Sequence, residues 1–209
     1  LPILQHIAER PSLSKRPYIR ALVLAPTREL AAQICTSFEA YSQFLKTRQT
    51  VIYGGVRPST QIQALKRGTD ILVATPGRLL DLQEQGFVDL NQVEFFVLDE
   101  ADRMLDMGFI NDVKKIVKVI PKKRQTLFFS ATLSSEIRNI GKNLLINPKE
   151  ITISPYSSTS SNIDSHFFQS YDKNKLNDLK TLLNIGSFNS AIIFCNKKKF
   201  SLLLKNSLG

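Results

Sequence analysis

Cysteine is scarce in this sequence. Cys35 and Cys195 are its only two, far apart and without C-x-x-C spacing. That pattern excludes a disulfide framework and a cysteine-based zinc site, and it suits a reducing compartment. Each thiol reads as a small core residue. His6 and His166 have no ligand-like companions. Long apolar runs are missing, so no membrane-spanning helix is expected. The first twenty residues mix Pro, Arg, Lys and His, which is not the pattern of a signal peptide. A cytoplasmic setting is the resulting expectation. There is no short repeat and no G-x-x-x-x-G-K-[ST] loop; Gly141-Lys142-Asn143 is not one. The first residue is Leu1, not Met, which suggests that the natural start lies further upstream.

What is present is a basic, ordinarily hydrophobic chain of 209 residues with a formal net charge of +10. Such a balance suits a polyanionic partner such as nucleic acid, or anionic lipid. Short apolar runs alternate with amphipathic stretches. "RALVLAP" (20–26), "TVIYGG" (50–55), "DILVATP" (70–76), "EFFVLDE" (94–100) and "QTLFFSAT" (125–132) read as strands buried on both faces. Between them Leu30, Ile34, Phe38 and Tyr41 recur at helical spacing, as do Ile62 and Leu65, and Ile110, Val113, Ile116 and Val117. This alternation predicts an α/β fold, a parallel sheet sandwiched by helices, over residues 1–152. Residues 153–163, dominated by serine and threonine, read as a linker. Residues 164–209 then read as the start of a second domain: a strand over 166–172, a helix over 173–184, a strand over 190–196 and a helix from about Lys197.

Each of the five strands ends in a small unusual cluster: Pro26-Thr27-Arg28, Gly54-Gly55, Thr75-Pro76-Gly77-Arg78, Asp99-Glu100-Ala101-Asp102 and Ser130-Ala131-Thr132. The carboxyl ends of parallel strands share one edge, where ligands bind, so the clusters are expected on one surface. Thr27 and Thr75 are placed as helix N-caps and Pro76 as a first helical residue. Helix N-termini present free N–H groups to anions, and Arg28 and Arg78 add forked donors suited to phosphate. Gly77 and the Gly54-Gly55 pair allow close backbone approach. Taken singly, these turns also fit plain capped strand-to-helix connections.

The acidic cluster puts an Asp at the end of an apolar strand, followed by Glu. That is a Walker-B-like arrangement, in which the Asp usually holds Mg²⁺ through water and the Glu can orient or deprotonate an attacking water. Asp102 falls about one turn into the next helix. It could accept hydrogen bonds from Ser130 and Thr132, although those hydroxyls fit helix capping before "SSEIRNIGKNLL" equally well.

In order, "APTRELAAQ" (25–33), "GG" (54–55), "ATPGRLLDL" (74–82), "VLDEADRMLDMGF" (97–109) and "FSATL" (129–133) resemble the motifs of DEAD-box ATP-dependent RNA helicases, most of all the bacterial RhlE type. "AIIFCNKKK" (191–199) resembles the first motif of that family's second RecA-like domain. The resemblance implies two RecA-like domains, ATP and Mg²⁺ as cofactors, and RNA as partner. Asp99 would serve the metal and Glu100 would be the general base. Asp102, Ser130 and Thr132 would couple nucleotide state to unwinding. Pro26, Thr27, Arg28, Gly54, Gly55, Thr75, Pro76, Gly77 and Arg78 would hold the RNA sugar–phosphate backbone with little sequence specificity.

The family's phosphate loop and adenine-reading segment precede a helix that Leu1-Pro2-Ile3-Leu4 resembles, so the resemblance implies an internal portion of a helicase. By itself such a portion is expected to bind ATP weakly. Two other readings stay open. One is a non-catalytic RNA-binding relic or adaptor; the other is a DNA-acting ATPase of the same superfamily. The lysine-rich stretches at 114–115, 121–124 and 197–199 read as solvated faces or as phosphate contacts.

Overall fold

The computed structural model describes residues 1–11, 17–153, 164, 166–171, 174–186 and 188–208. Two units divide the chain, Leu1–Tyr156 and Ser157–Gly209.

The first unit is built on a parallel sheet of five strands: β1 (Ala21–Leu24), β2 (Gln49–Ile52), β3 (Ile71–Ala74), β4 (Phe95–Leu98) and β5 (Gln125–Phe128). Their order across the sheet is β2-β3-β1-β4-β5. Helices α1 (Pro2–Glu9), α2 (Arg28–Tyr41), α3 (Pro58–Lys66), α4 (Pro76–Glu84), α5 (Ala101–Asp106), α6 (Ile110–Val119) and α7 (Ser135–Leu144) cover it.

Side chains alternate between the two faces along each strand. Ala21, Val23, Ile71, Val73, Phe95 and Val97 therefore pack on one side, against Leu4 and Ile7 of α1 and Ala31 and Cys35 of α2. Leu22, Leu24, Leu72, Phe96 and Leu98 pack on the other, against Leu79 and Leu82, Met104, Ile116 and Ile137. The expected sandwich of helices about a parallel sheet is thus present, with a core on each face. Burial pushes the Cys35 thiol up to about 11, so it behaves as an inert core group.

Not every strand is buried on both faces. β1, β3 and β4 are, but β2 alternates between buried and half-buried residues and β5 is half exposed. The order across the sheet explains this, since β2 and β5 are its edges. Of the helix stripe Leu30, Ile34, Phe38 and Tyr41, the first three pack half-buried against the core. Ala31 and Cys35 take the buried positions of α2, and Tyr41 at its end is 62% exposed.

The second unit contains α8 (Lys175–Ile185) and α9 (Lys198–Leu208), close to where helices were expected. The two strands expected there are absent: residues 166–171 and 190–196 have no strand structure. Phe167, Phe168, Ile192 and Phe194 are exposed. A strand exists only through a neighbour that takes its main-chain bonds, and none is present among the described residues of this unit. Residues 154–163, most of the expected linker, lie outside the described residues.

Candidate functional site

The strand register sets the site. Leu24 stands level with Ala74 and Leu98, and through them with Ile52 and Phe128. The ladder continues one residue past each end: Ala25 N–H donates to the Ala74 carbonyl (3.0 Å), Thr75 N–H to Ile52 (3.0 Å), Asp99 N–H to Leu24 (3.0 Å) and Phe129 N–H to Leu98 (2.9 Å). All five motif clusters therefore leave the sheet at one edge. The connection after β1 runs toward β2, and the one after β4 runs the opposite way, toward β5. The gap between β1 and β4 is thus a topological switch point, where an open α/β sheet offers its binding crevice.

Asp99 and Glu100 stand at that gap. Glu100 adopts a left-handed backbone (φ 47°, ψ 54°), which a non-glycine residue takes only where its surroundings impose it. The corner is held by three bonds. The Glu100 N–H donates to Asp99 Oδ1 (2.9 Å), the Ala101 N–H donates to the Phe129 carbonyl (3.0 Å), and Arg103 Nη1 donates to Glu100 Oε2 (3.3 Å).

Burial pushes the Asp99 carboxyl above the usual carboxylate range. The Glu100 charge adds to the rise, and the amide bond to Oδ1 opposes it. A group raised in this way destabilises the fold when ionised, and that penalty disappears as pH falls below the ordinary carboxylate range. Asp99→Asn keeps the acceptor for the Glu100 amide and removes the charge. It is expected to raise the thermal midpoint at pH 7 by about 2–4 °C, the shift ~1 kcal/mol produces in a chain of this size. An unchanged or lowered midpoint in a calorimetric scan would count against electrostatic strain at this corner.

Asp102 and Thr132 meet as expected. Asp102 Oδ2 accepts from both the Thr132 hydroxyl and the Thr132 N–H at 2.9 Å, and Oδ1 accepts from the Arg103 N–H (3.0 Å). Burial works against its ionisation, but the Thr132 and Arg103 bonds outweigh that and hold the carboxyl below the usual range. Ser130 departs from the expectation. Its hydroxyl donates to the Thr132 carbonyl (2.7 Å), not to Asp102, so it shapes the loop that presents Thr132. Neither hydroxyl caps α7; Ser134 does, accepting from the Ile137 N–H (3.3 Å).

The phosphate-type turns also differ from one another. Thr27 caps α2, its hydroxyl oxygen accepting from the Leu30 N–H (3.2 Å), with Pro26 just before it. Thr75 occupies the N-cap of α4 and Pro76 follows in its first turn, but the Thr75 side chain makes no capping bond. Arg28 is exposed and pairs with Glu29 (2.7 Å). Gly55 is in the left-handed region (φ 81°), and a Cβ placed on it would stand 3.6 Å from Arg28 Nη1, so the structure brings these two motifs together. Among the described residues no atom lies within 4 Å of where a Cβ on Gly54 or Gly77 would go, so their packing does not require glycine at either. Arg78 is mostly engaged inside the protein: Nη2 donates to the Val56 carbonyl (3.1 Å), Nε lies 3.5 Å from Asp81, and buried Nη1 has no partner among the described residues. It ties α4 to the diglycine loop, a role its position in the motif did not reveal. Arg103 was likewise missed; its one sequence signal is the i,i+3 spacing from Glu100.

Asp99 suits a hard divalent cation. Its second oxygen, Oδ2, accepts no hydrogen bond among the described residues. No trio of His, Cys, Asp or Glu forms an all-protein cage among those residues either. Mg²⁺ is commonly held by one or two carboxylates together with substrate phosphates, and Asp99 could supply one such carboxylate. A loop to cradle the β- and γ-phosphates is not part of these 209 residues.

A family model described as DEAD/DEAH box helicase matches residues 1–140. The chain is 42% identical over 195 residues to the ATP-dependent RNA helicase DeaD of Buchnera aphidicola subsp. Schizaphis graminum, covering 93% of this chain and 32% of that protein. It is 40% identical over 182 residues to the ATP-dependent RNA helicase RhlB of Hamiltonella defensa, covering 86% of this chain and 43% of the other. A crystal structure of a hypothetical ATP-dependent RNA helicase from Sulfolobus tokodaii superimposes with a TM-score of 0.59 at 40% identity, covering 63% of this chain and 39% of that one. The chain thus spans about a third to two fifths of the length of these relatives. With its acidic corner, its Asp102–Thr132 bonds and its two helix-start turns on one sheet edge, and with the family model matching across them, the chain belongs to the DEAD/DEAH-box helicase family.

Proposed function

We propose that these residues form the acid, coupling and RNA-gripping part of an ATP-dependent RNA helicase. The supporting observation is the corner at the end of β4, where Asp99 and left-handed Glu100 stand beside an Asp102 bonded to Thr132 of the neighbouring strand end. Asp99 would hold Mg²⁺, whose charge neutralises phosphate oxygens when nucleotide is bound. Glu100 would take the proton of the attacking water. The Asp102–Thr132 pair and Ser130 would link this corner to the RNA-facing turns. Thr27, Arg28, Gly54, Gly55 and Gly77 would face the RNA backbone, while Pro26, Thr75 and Pro76, which are buried, and Arg78, whose fork is engaged inside the protein, would hold those turns in place. The unfilled space at Gly54 and Gly77 supports close approach of a sugar–phosphate chain there.

The second unit, residues 164–209, would begin a second RecA-like domain joined by the segment 153–163. The setting would be cytoplasmic; among the described residues no helix is long and apolar enough to cross a membrane. The RhlE type rests on motif wording alone, since the relatives above carry the names DeaD and RhlB. Lacking a phosphate loop, the 209 residues alone would turn over ATP slowly.

The test is ATP hydrolysis with and without single-stranded RNA, by these residues joined to a phosphate loop. RNA is expected to stimulate turnover, and DNA of the same sequence to compete poorly. RNA binding without ATP turnover would favour the relic instead, and equal stimulation by DNA would favour a DNA-acting ATPase.

A further inference from the structure

The opposite end of the sheet carries a feature the helicase reading does not use. In the β2–β3 ladder the Arg48 carbonyl accepts from the Ile71 N–H (3.1 Å) and the Ile52 carbonyl from the Thr75 N–H (3.0 Å). Residues of a parallel strand face their neighbour alternately. The N–H and C=O groups of Gln49, Val51 and Tyr53 therefore turn away from the sheet. At Tyr53 the outer edge is closed. The buried Gln61 side chain accepts from the Tyr53 N–H (3.1 Å) and donates to the Tyr53 carbonyl (3.2 Å), as a neighbouring strand would.

Among the described residues, none gives Gln49 or Val51 such cover. At Gln49 the edge opens into a groove of about 750 Å³, walled by residues 47–50, the end of α3 and Glu39 of α2. Two buried oxygens in its walls, Thr47 Oγ1 and Gln49 Oε1, lack hydrogen-bond partners among the described residues. Arg48, Lys66 and Arg67 line it against the single acid Glu39.

We propose that this edge docks an extended acidic peptide segment of a partner protein, which adds as a strand beside β2. Main-chain chemistry selects a peptide. The open edge offers donors and acceptors alternately; a phosphate backbone supplies only acceptors and would leave the Gln49 and Val51 carbonyls unserved. Charge selects an acidic one. It also disfavours a second copy of this chain, whose Arg48, Lys66 and Arg67 would meet their own kind. Length is set by the Gln61 block: from Gln49 to Tyr53 the edge is about 13 Å long at ~3.3 Å per residue, room for about four residues.

The probe is a blocked nine-residue peptide in which glutamate alternates with threonine and valine, titrated into the 209-residue chain by fluorescence anisotropy. Saturable binding is expected, with slowed hydrogen exchange at the Gln49 and Val51 amides. N-methylation of alternate peptide bonds in the probe is expected to weaken it roughly tenfold or more, because strand addition depends on main-chain bonds. Val51→Pro should do the same, since it deletes an outward donor and spares the bonds to β3. Reversing charge at Arg48 and Arg67 together should weaken the acidic probe and not a neutral analogue. Absence of binding, or binding indifferent to N-methylation, overturns the proposal. So does a groove in which charge reversal weakens single-stranded RNA while the peptide stays unbound. The N-methylated probe keeps the test decisive should Val51→Pro fail to fold.

Discussion

Glu100→Gln, at the proposed general base, is expected to lower RNA-stimulated ATP turnover by roughly 10²–10⁴-fold, the usual contribution of such a base. Glutamine has the same length and shape. It retains a carbonyl oxygen to accept from Arg103 Nη1, and the left-handed corner is fixed by bonds from main-chain N–H groups that the substitution leaves alone, Glu100 N–H to Asp99 Oδ1 and Ala101 N–H to the Phe129 carbonyl. What it loses is the ability to receive a proton. The effect should therefore fall on kcat, with KM for ATP and affinity for RNA nearly unchanged, because those report binding that the amide does not disturb. The measurement is steady-state hydrolysis by these residues joined to a phosphate loop, with RNA saturating. A loss smaller than tenfold would place the base elsewhere. A loss accompanied by weaker RNA binding would mean that the corner had collapsed.

How far this corner could be read in advance depends on what kind of force places each residue. Asp99 was legible because an apolar run has to stop where the strand leaves the core, and polar residues in parallel strands gather at the same edge. The Asp102–Thr132 contact followed from the two strands being neighbours in a sheet that alternates with helices. Arg78 was not legible. Sequence gives its type and its position in the helix, but its fork is engaged by the Val56 carbonyl and Asp81, partners that exist only once the diglycine loop packs over α4. Ser130 failed in the same way, turning its hydroxyl to a carbonyl two residues on. The half-exposure of β2 and β5 also escaped, since a run such as "QTLFF" has the same composition at an edge as in the middle. Residues 166–171 and 190–196 show the limit most plainly. Phe167, Phe168, Ile192, Ile193 and Phe194 have the composition of strands, but a strand is a property of a pair, and the composition of one member cannot supply the other.

The anchor of α1 gives the largest expected effect on stability, and no motif pointed to it. Arg20, just before β1, is 3% exposed. Its guanidinium forms a forked pair with Glu94, just before β4, and Nη1 also donates to the carbonyls of Ile7 (3.3 Å) and Arg10 (2.6 Å) near the end of α1. His6 of α1 reaches the same carboxylate, Nε2 to Oε2 at 3.0 Å, and sets its ring edge-on to Phe95. Removing one partner of a buried pair costs about 3–5 kcal/mol because the other charge is left without compensation. The Glu94 side chain is 36% exposed, so solvent screens part of that loss. Glu94→Ala is accordingly expected to destabilise the first unit by about 2–3 kcal/mol, with a midpoint roughly 4–12 °C lower. The pH dependence has a definite sign. The Arg20 hydrogen bond, opposed by partial burial and assisted by His6, holds the Glu94 carboxyl below the usual range. A lowered acid contributes stability that is present above its unfolded value and lost as pH falls through its folded one. The gap between wild type and Glu94→Ala should therefore be full at pH 7 and narrow below about pH 4, where the unfolded carboxyl also takes up its proton. Hydrogen exchange adds a local reading: amides of α1 should open first in the variant, since His6, Ile7 and Arg10 all tie to this pair. Equal midpoints at pH 7, or a gap that persists unchanged at pH 3, would mean that packing of Leu4 and Ile7 alone holds the helix down.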